Sequence, residues 1–278
     1  MSVISSFKLP GMVVKDHRFK LPLNDANPQN HPLSVFAREV VSIEKVDQDL
    51  PWLVFFQGGP GSGSPRPEPT MGWIKRAIED YRVLLLDQRG TASSTPVTHE
   101  TLMQFDSPQA QADYLKHFRA DNIIRDAEAI RVQLLGEGQK WTALGQSFGG
   151  FCIAHYLSAA PEGLEGAIVT GGLPPLERSA DEVYRATYQR VIDKNHLYYE
   201  RYPEDTERFW EIMDFLMAND VEFPGGGLLT PRRFQQLGFA FGMSDGFEAV
   251  HYLIDHPFVE TSSGKTLSYQ FLREIENA

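Results

Sequence analysis

The chain has 278 residues, 42% of them hydrophobic, a formal net charge of -11 from 37 acidic and 26 basic residues, and one cysteine. That length and apolar content can bury the core of one large domain or of a domain with an insertion, which excludes global disorder. The acidic balance argues against nucleic acid as the partner, and the lone cysteine excludes an internal disulfide framework.

No apolar run reaches the roughly 18 to 20 residues that span a bilayer, so no membrane role is expected. Residues 1–11 lack the charged and apolar stretches of a secretory signal, which makes the cytoplasm the expected compartment. Early in the chain, residues 12–20 and 34–45 read as strands, and 52–57 (WLVFFQ) is a short apolar run suited to a buried central strand. Residues 73–81 have helical spacing, 82–87 (RVLLLD) form another buried strand, and 121–135 form an amphipathic helix with Asp121 as its expected cap. A strand over 141–145, a helix over 148–160 and a strand over 166–171 (GAIVTG) complete the alternation. Such alternation predicts an α/β fold, a mostly parallel sheet with helices on both faces. After Pro174 and Pro175 the pattern changes, and 177–202, 204–218, 230–238, 246–255 and 266–277 read as helices with no buried strand among them. The expected organisation is a core over residues 1–175 and a helical region over 176–278.

The chemistry is carried by Gly145-Gln146-Ser147-Phe148-Gly149, which matches G-x-S-x-G between a predicted strand and a predicted helix. A sharp turn there pushes the Ser147 side chain into solvent, and glycines on either side let neighbouring backbone pass without a Cβ clash. The N-terminus of the following helix favours the negative oxygen that develops on an attacked carbonyl. A second segment, Gln57-Gly58-Gly59-Pro60-Gly61, directly follows the 52–57 strand, where a loop can donate another N–H to the same oxygen. Either string alone is also an ordinary glycine turn; their pairing at two strand ends favours catalysis. Ser147 is thus the expected nucleophile, and Gly59 and Phe148 the expected backbone donors of an oxyanion hole.

With Asp87-Gln88-Arg89-Gly90 and Gly150 added, these segments resemble in order and spacing the signature set of the prolyl aminopeptidases, serine peptidases of the α/β-hydrolase superfamily. The resemblance covers about residues 12–175, and the helical region only in kind, since that family also inserts a helical cap. Gln57 stands where many members have histidine, and Thr91-Ala92-Ser93-Ser94 departs from their small-residue stretch. The resemblance implies release of an N-terminal residue, preferably proline, through an acyl-enzyme on Ser147, with neither metal nor organic cofactor. The implied partner is a small peptide with a free N-terminus. Its ammonium asks for a carboxylate, for which Glu248 in Phe247-Glu248-Ala249-Val250-His251-Tyr252 is the first candidate, with Glu204 and Glu222 behind it. Asp87 and Arg89 read as structural, and Cys152 as a small core residue rather than a second nucleophile.

That family takes its triad acid and then its histidine from strand ends beyond the cap, and no such strands are legible. The histidines after Ser147 are His155, His196, His251 and His256, none of which follows a late core strand. Asp255 and His256 are adjacent, but neighbouring side chains on a helix diverge by about 100 degrees, which makes a poor acid–base pair. The expectation is that the C-terminal core strands, the acid and the base are absent from the chain. Strand 166–171 is then left as an uncovered sheet edge. Turnover by the chain alone is then negligible unless a complementary C-terminal polypeptide completes it. Two other readings remain open: a different α/β-hydrolase, such as an esterase or amidase, acting on substrates without a free amine, or a catalytically inactive fragment. A serine at 147 disfavours the epoxide hydrolases and dehalogenases, which use an aspartate.

Overall fold

In the computed structural model, residues 2–24, 31–68 and 72–277 are described, and the chain divides into two units, Met1–Pro174 and Pro175–Ala278. The first unit is built on strands β1 (Ser2–Leu9), β2 (Met12–Leu21), β3 (Leu33–Ser42), β4 (Trp52–Phe56), β5 (Arg82–Asp87), β6 (Trp141–Gln146) and β7 (Leu164–Thr170). They form one seven-stranded sheet in the order β1-β2-β3-β5-β4-β6-β7. Pairing is antiparallel from β1 through β2 and β3 to β5, and parallel from β5 through β4 and β6 to β7. Strands β2 and β4 to β7 therefore point one way, and β1 and β3 the other. Phe56 pairs with both Leu86 and Gly145, so β5, β4 and β6 end level with one another. Gln57, Asp87 and Gln146 consequently meet at the carboxyl ends of these strands, where open α/β sheets place their ligands.

Period-two alternation along the central strands divides their side chains between two apolar layers. Leu53, Phe55, Val83 and Leu85 pack on one face with Ile74 of α1 (Gly72–Ala77). Val54, Phe56, Leu84 and Leu86 pack on the other, against α4 (Ala120–Leu135) and α5 (Phe148–Ala159), which follow the short helices α2 (His99–Leu102) and α3 (Pro108–Leu115). Ile123, Ala127 and Ile130 of α4 and Cys152, Ile153 and Tyr156 of α5 supply that layer. Buried strands thus have helices on both faces.

One strand was not among the expectations, and three local expectations need correction. Residues 2–9 form a strand, paired antiparallel to β2, although all but Leu9 are exposed and carry no buried alternation to reveal it. The second early strand stops at Ser42, and Ile43–Lys45 turn into a 3-10 helix. The first helix ends at Ala77 rather than at residue 81. Asp121 does not cap α4: Arg119 holds the cap position without a side-chain bond, and Asp121 sits in the first turn, where its charge faces the positive end of the helix.

The second unit contains α6 (Ala180–Arg201), α7 (Asp205–Ala218), α8 (Pro231–Gln235), α9 (Gly246–Leu253), the hairpin of β8 (Phe258–Thr261) and β9 (Gly264–Leu267), and α10 (Tyr269–Asn277). Ser179 and Glu182 close a capping box at the start of α6, each side chain answering the other's backbone N–H. The hairpin is the correction here, because the expected helix over 266–277 begins only at Tyr269. Its four-residue strands are largely exposed and too short to display a period. One core of this unit joins Ile212 and Leu216 to Phe234, Phe271 and Ile275, and another joins Tyr198 to Phe241, Phe247 and Val250. Among the described residues no helix is long and apolar enough to cross a membrane.

One charged cluster lies inside the sheet of the first unit. The Glu39 carboxylate on β3 is almost wholly buried and faces His17 Nε2 at 2.8 Å, Lys15 Nζ at 3.3 Å and the Arg82 guanidinium. Burial by itself would raise its pKa. The hydrogen bonds from His17 and Arg82, with the charges of Lys15 and Arg82, outweigh burial and lower the pKa from 4.5 to about 2. A carboxyl whose folded pKa lies below its unfolded one stabilises the fold above the unfolded value, and that contribution is lost as pH falls through the folded one. Urea titrations should therefore show stability draining between pH 4.5 and about 2. Glu39→Gln should flatten that dependence and lower stability at pH 7 by on the order of 3 kcal/mol. An unchanged urea midpoint at pH 7 would show that the cluster contributes nothing.

Candidate active site

The turn from β6 into α5 is shaped by backbone crowding. A Cβ built on Gly149 would lie 2.0 Å from the Phe56 carbonyl oxygen at the end of β4, closer than any real contact, so only glycine lets α5 start this near the sheet. Ser147 occupies the apex of that turn with φ 52°, a left-handed conformation that costs free energy in a residue bearing a Cβ. Two hydrogen bonds hold it there: Ser147 N donates to the Thr170 carbonyl on β7, and Gly150 N donates to the Ser147 carbonyl, both at 2.9 Å. The Ser147 side chain is exposed. Among the described residues none hydrogen-bonds its hydroxyl.

The second glycine segment runs beside this serine. A Cβ on Gly58 would lie 3.0 Å from Ser147 Cβ and 3.6 Å from Ser147 Oγ, so the loop packs directly against the serine side chain. Gly59 follows with φ 122° and precedes Pro60 through a cis bond. On the other side of the serine, Phe148 is the first residue of α5, and the first N–H groups of a helix have no partner within it. Ser147, Gly59 and Phe148 thus share one end of one sheet. An exposed hydroxyl, a helix N-terminus and a close glycine loop together make a place where an attacked carbonyl can be held and its charge received.

Around this end the Asp87-Gln88-Arg89-Gly90 segment anchors loops. Arg89 makes a two-pronged, buried ion pair with Asp126, Nε to Oδ2 at 2.7 Å and Nη2 to Oδ1 at 2.6 Å, and also donates to the carbonyls of Pro22, Leu23 and His117. The Asp87 carboxylate accepts from Ser64 N at 2.8 Å and from Ser93 N at 3.1 Å. Cys152 is wholly buried in α5, and burial pushes its thiol up to about 12, so it is neither exposed nor ionised. Strand β7 pairs only with β6 among the described residues, which leaves its far edge open.

The second unit holds the remaining candidates. Glu248, on α9, receives Arg201 Nη1 at 2.6 Å and the Tyr202 hydroxyl at 3.3 Å. A backbone hydrogen bond at its own amide and the Arg201 charge hold its carboxyl below the usual range. Glu204, just before α7, is exposed and makes no side-chain cap. Neither sequence motif nor spacing revealed Asp205, the residue on which this region converges. Its buried carboxylate accepts from the Tyr198 hydroxyl at 2.5 Å and from Arg208 Nη1 at 2.6 Å, and meets His251 Nδ1 at 2.9 Å. His251 stacks on Tyr202 at 3.9 Å between ring centres. Glu204, Asp205 and His251 each offer one ligand atom within 4.8 Å of the others, yet both Asp205 oxygens are already committed to Tyr198, Arg208 and His251. The adjacent pair Asp255 and His256 touches at 3.3 Å with His256 almost fully exposed, so no acid lies buried behind that imidazole. Tyr199, Phe209, Trp210, Phe234 and Phe241 line a cavity of about 300 Å³ within this unit.

A sequence profile of the alpha/beta hydrolase fold family matches residues 51–211. The chain is 45% identical over 277 residues to a proline iminopeptidase of Aeromonas sobria, a match that covers 99% of this chain and 64% of that protein. A proline iminopeptidase of Aspergillus aculeatus is 38% identical over 267 residues, covering 94% of this chain and 59% of its own length. The chain therefore spans about three fifths of the length of the curated relatives it matches. An alpha/beta hydrolase structure from Novosphingobium aromaticivorans aligns with a TM-score of 0.43 at 15% identity, over 93% of this chain and 69% of that one.

Crowding at the elbow makes a measurable contrast. Gly149→Ala should lower stability by about 2 to 4 kcal/mol, since its Cβ meets fixed backbone. Gly166→Ala on β7, whose Cβ would find only ordinary contacts 3.6 Å from the Thr142 side chain, should change stability by less than about 1 kcal/mol. Equal melting temperatures for the two variants would show that the turn is not close-packed.

Proposed function

The chain belongs to the α/β-hydrolase family, and from that premise we propose that it is the nucleophile-bearing part of a serine aminopeptidase that releases N-terminal proline from small peptides. The observation that carries this reading is Ser147, exposed at positive φ between the N-terminus of α5 and the Gly58–Gly59 loop. Identity of 45% with the Aeromonas sobria proline iminopeptidase supports the choice of substrate.

In the proposed mechanism Ser147 Oγ attacks the carbonyl of the N-terminal residue while its proton passes to a general base. The tetrahedral oxyanion is received by the N–H groups of Gly59 and Phe148, aided by the positive end of α5. Collapse, with that proton passed on to the leaving nitrogen, expels the shortened peptide as an amine and leaves the prolyl ester on Ser147, which water then hydrolyses. Removing one such donor costs about 10²- to 10³-fold in rate in a serine protease of another fold, so the two amides would supply much of the acceleration. The acid and the base are assigned to a complementary C-terminal polypeptide. The free ammonium of the substrate is assigned to a carboxylate of the helical unit, Glu248 first and Glu204 second, and residues 176–278 are read as the cap to a core of residues 1–175. A lone reduced cysteine fits a cytoplasmic location.

In a preparation where this chain and its complementing segment hydrolyse a prolyl arylamide, Ser147→Ala should lower kcat by at least about 10³-fold. Retained hydrolysis would sink the assignment of the nucleophile. Glu248→Ala should raise KM for the free-amine substrate about tenfold or more while leaving an N-acylated prolyl ester unaffected, since a charge-assisted hydrogen bond is lost with the former alone. Equal effects on both substrates would remove Glu248 from the site and favour an esterase or amidase indifferent to the amine.

A further inference from the structure

The loop beside Ser147 has little stiffness of its own. Gly58, Gly59 and Gly61 occupy its centre, and glycine leaves the direction of its N–H groups to whatever holds the flanking peptides. Both ends of the loop are held from the end of β5. At the entry, Gln88 Nε2 donates to the Gln57 carbonyl at 3.1 Å. At the exit, Ser64 N donates to Asp87 Oδ1 at 2.8 Å, and Ser64 Oγ donates to the Leu86 carbonyl at 2.7 Å. Gln88 is 2% exposed and Asp87 3%, so both side chains that hold the loop from β5 are buried.

Strand order gives these bonds a direction. Strand β4 lies between β5 and β6; Gln57 leaves the end of β4, Gln88 the end of β5, and Ser147 the end of β6. Gln88 therefore grips the loop from the side away from the nucleophile. In a trans peptide the C=O and N–H point oppositely, so tying the Gln57 carbonyl to the β5 side fixes the plane from which Gly58 and Gly59 depart. An oxyanion donor acts only where its N–H is aimed beforehand, and misplacement by about 1 Å can cost on the order of 100-fold in rate.

We propose that Gln88 is a positioning residue for the reaction, holding the Gln57–Gly59 segment so that its amides face Ser147; this rests on the serine-hydrolase reading above. Asp87 serves the same loop, but its carboxylate also holds Ser93 and its carbonyl accepts from Ser94 Oγ, so its loss would disturb a second loop. The Gln88 side chain bonds Gln57 alone among the described residues, which makes it the cleaner probe.

The test uses the preparation in which this chain and its complementing segment hydrolyse a prolyl arylamide, with two variants that keep the length of the side chain, Gln88→Met, which removes the donor, and Gln88→Glu, which replaces it by an acceptor. Phosphonylation of Ser147 by a fluorophosphonate is followed to saturation. The limiting rate should fall at least about tenfold in both variants, with the half-saturating probe concentration unchanged and the native circular dichroism spectrum retained. Amide hydrogen exchange across residues 57–64 should rise at least about tenfold while residues 82–87 keep theirs. Unchanged limiting rate and unchanged exchange in a folded variant would overturn the proposal. Ser147→Ala is the reference: if it is labelled at the wild-type rate, the serine reading falls and this inference falls with it, whereas silent Ser147→Ala with unaffected Gln88 variants overturns the positioning role alone.

Discussion

The structure of the candidate site depends on how closely one helix can start beside one strand. Gly149 lets α5 begin against the carbonyl end of β4, nearer than any side chain would permit. The chain leaving β6 must then reverse within a residue, and Ser147 takes the positive φ that this reversal demands. Its hydroxyl is directed outward as a result, the unpaired N–H groups of α5 face the same space, and the loop after β4 has room to pass only because Gly58 has no side chain. Strain at one residue is held by the surrounding sheet, chiefly through the bond from Ser147 N to Thr170 on β7.

The legible parts of the fold were those written in consecutive residues. RVLLLD gave β5 its observed limits, and WLVFFQ gave β4 to within one residue, because strands buried on both faces appear as unbroken apolar runs. The elbow was legible for a related reason: its glycines are required by contacts that any such turn must make. Elements with exposed or very short strands, β1 and the β8–β9 hairpin, leave no such trace. Neither do partners far apart in the chain. Asp205 and His251 are separated by 46 residues, and the bond from Gln88 to Gln57 spans 31. Both pairings exist only because packing brings their elements together.

In the helical unit, two tyrosines take different roles. Tyr198 is fully buried, stacks on Phe241 and donates to Asp205, whereas Tyr202 lies over the His251 ring and reaches Glu248. Burial, followed by the Asp205 bond, raises the Tyr198 pKa, so the phenol keeps its proton and remains a donor. A buried carboxylate with three partners, one of them Arg208, is costly to disrupt, because removing any partner leaves charge in a dry setting. That cluster fastens α6, α7 and α9 together, and it accounts for His251 without assigning it a part in the chemistry.

All of this rests on one serine hydroxyl being available to an electrophile beside amides that stabilise the product. Treating the chain, together with the segment that completes its activity, with an organophosphonate and mapping the adduct by peptide mass spectrometry reads that directly. The account predicts a single adduct, on the peptide that carries Ser147, in the folded state only. An adduct distributed over other serines and tyrosines, or a folded chain with Ser147 unmodified while another residue is labelled, would contradict it.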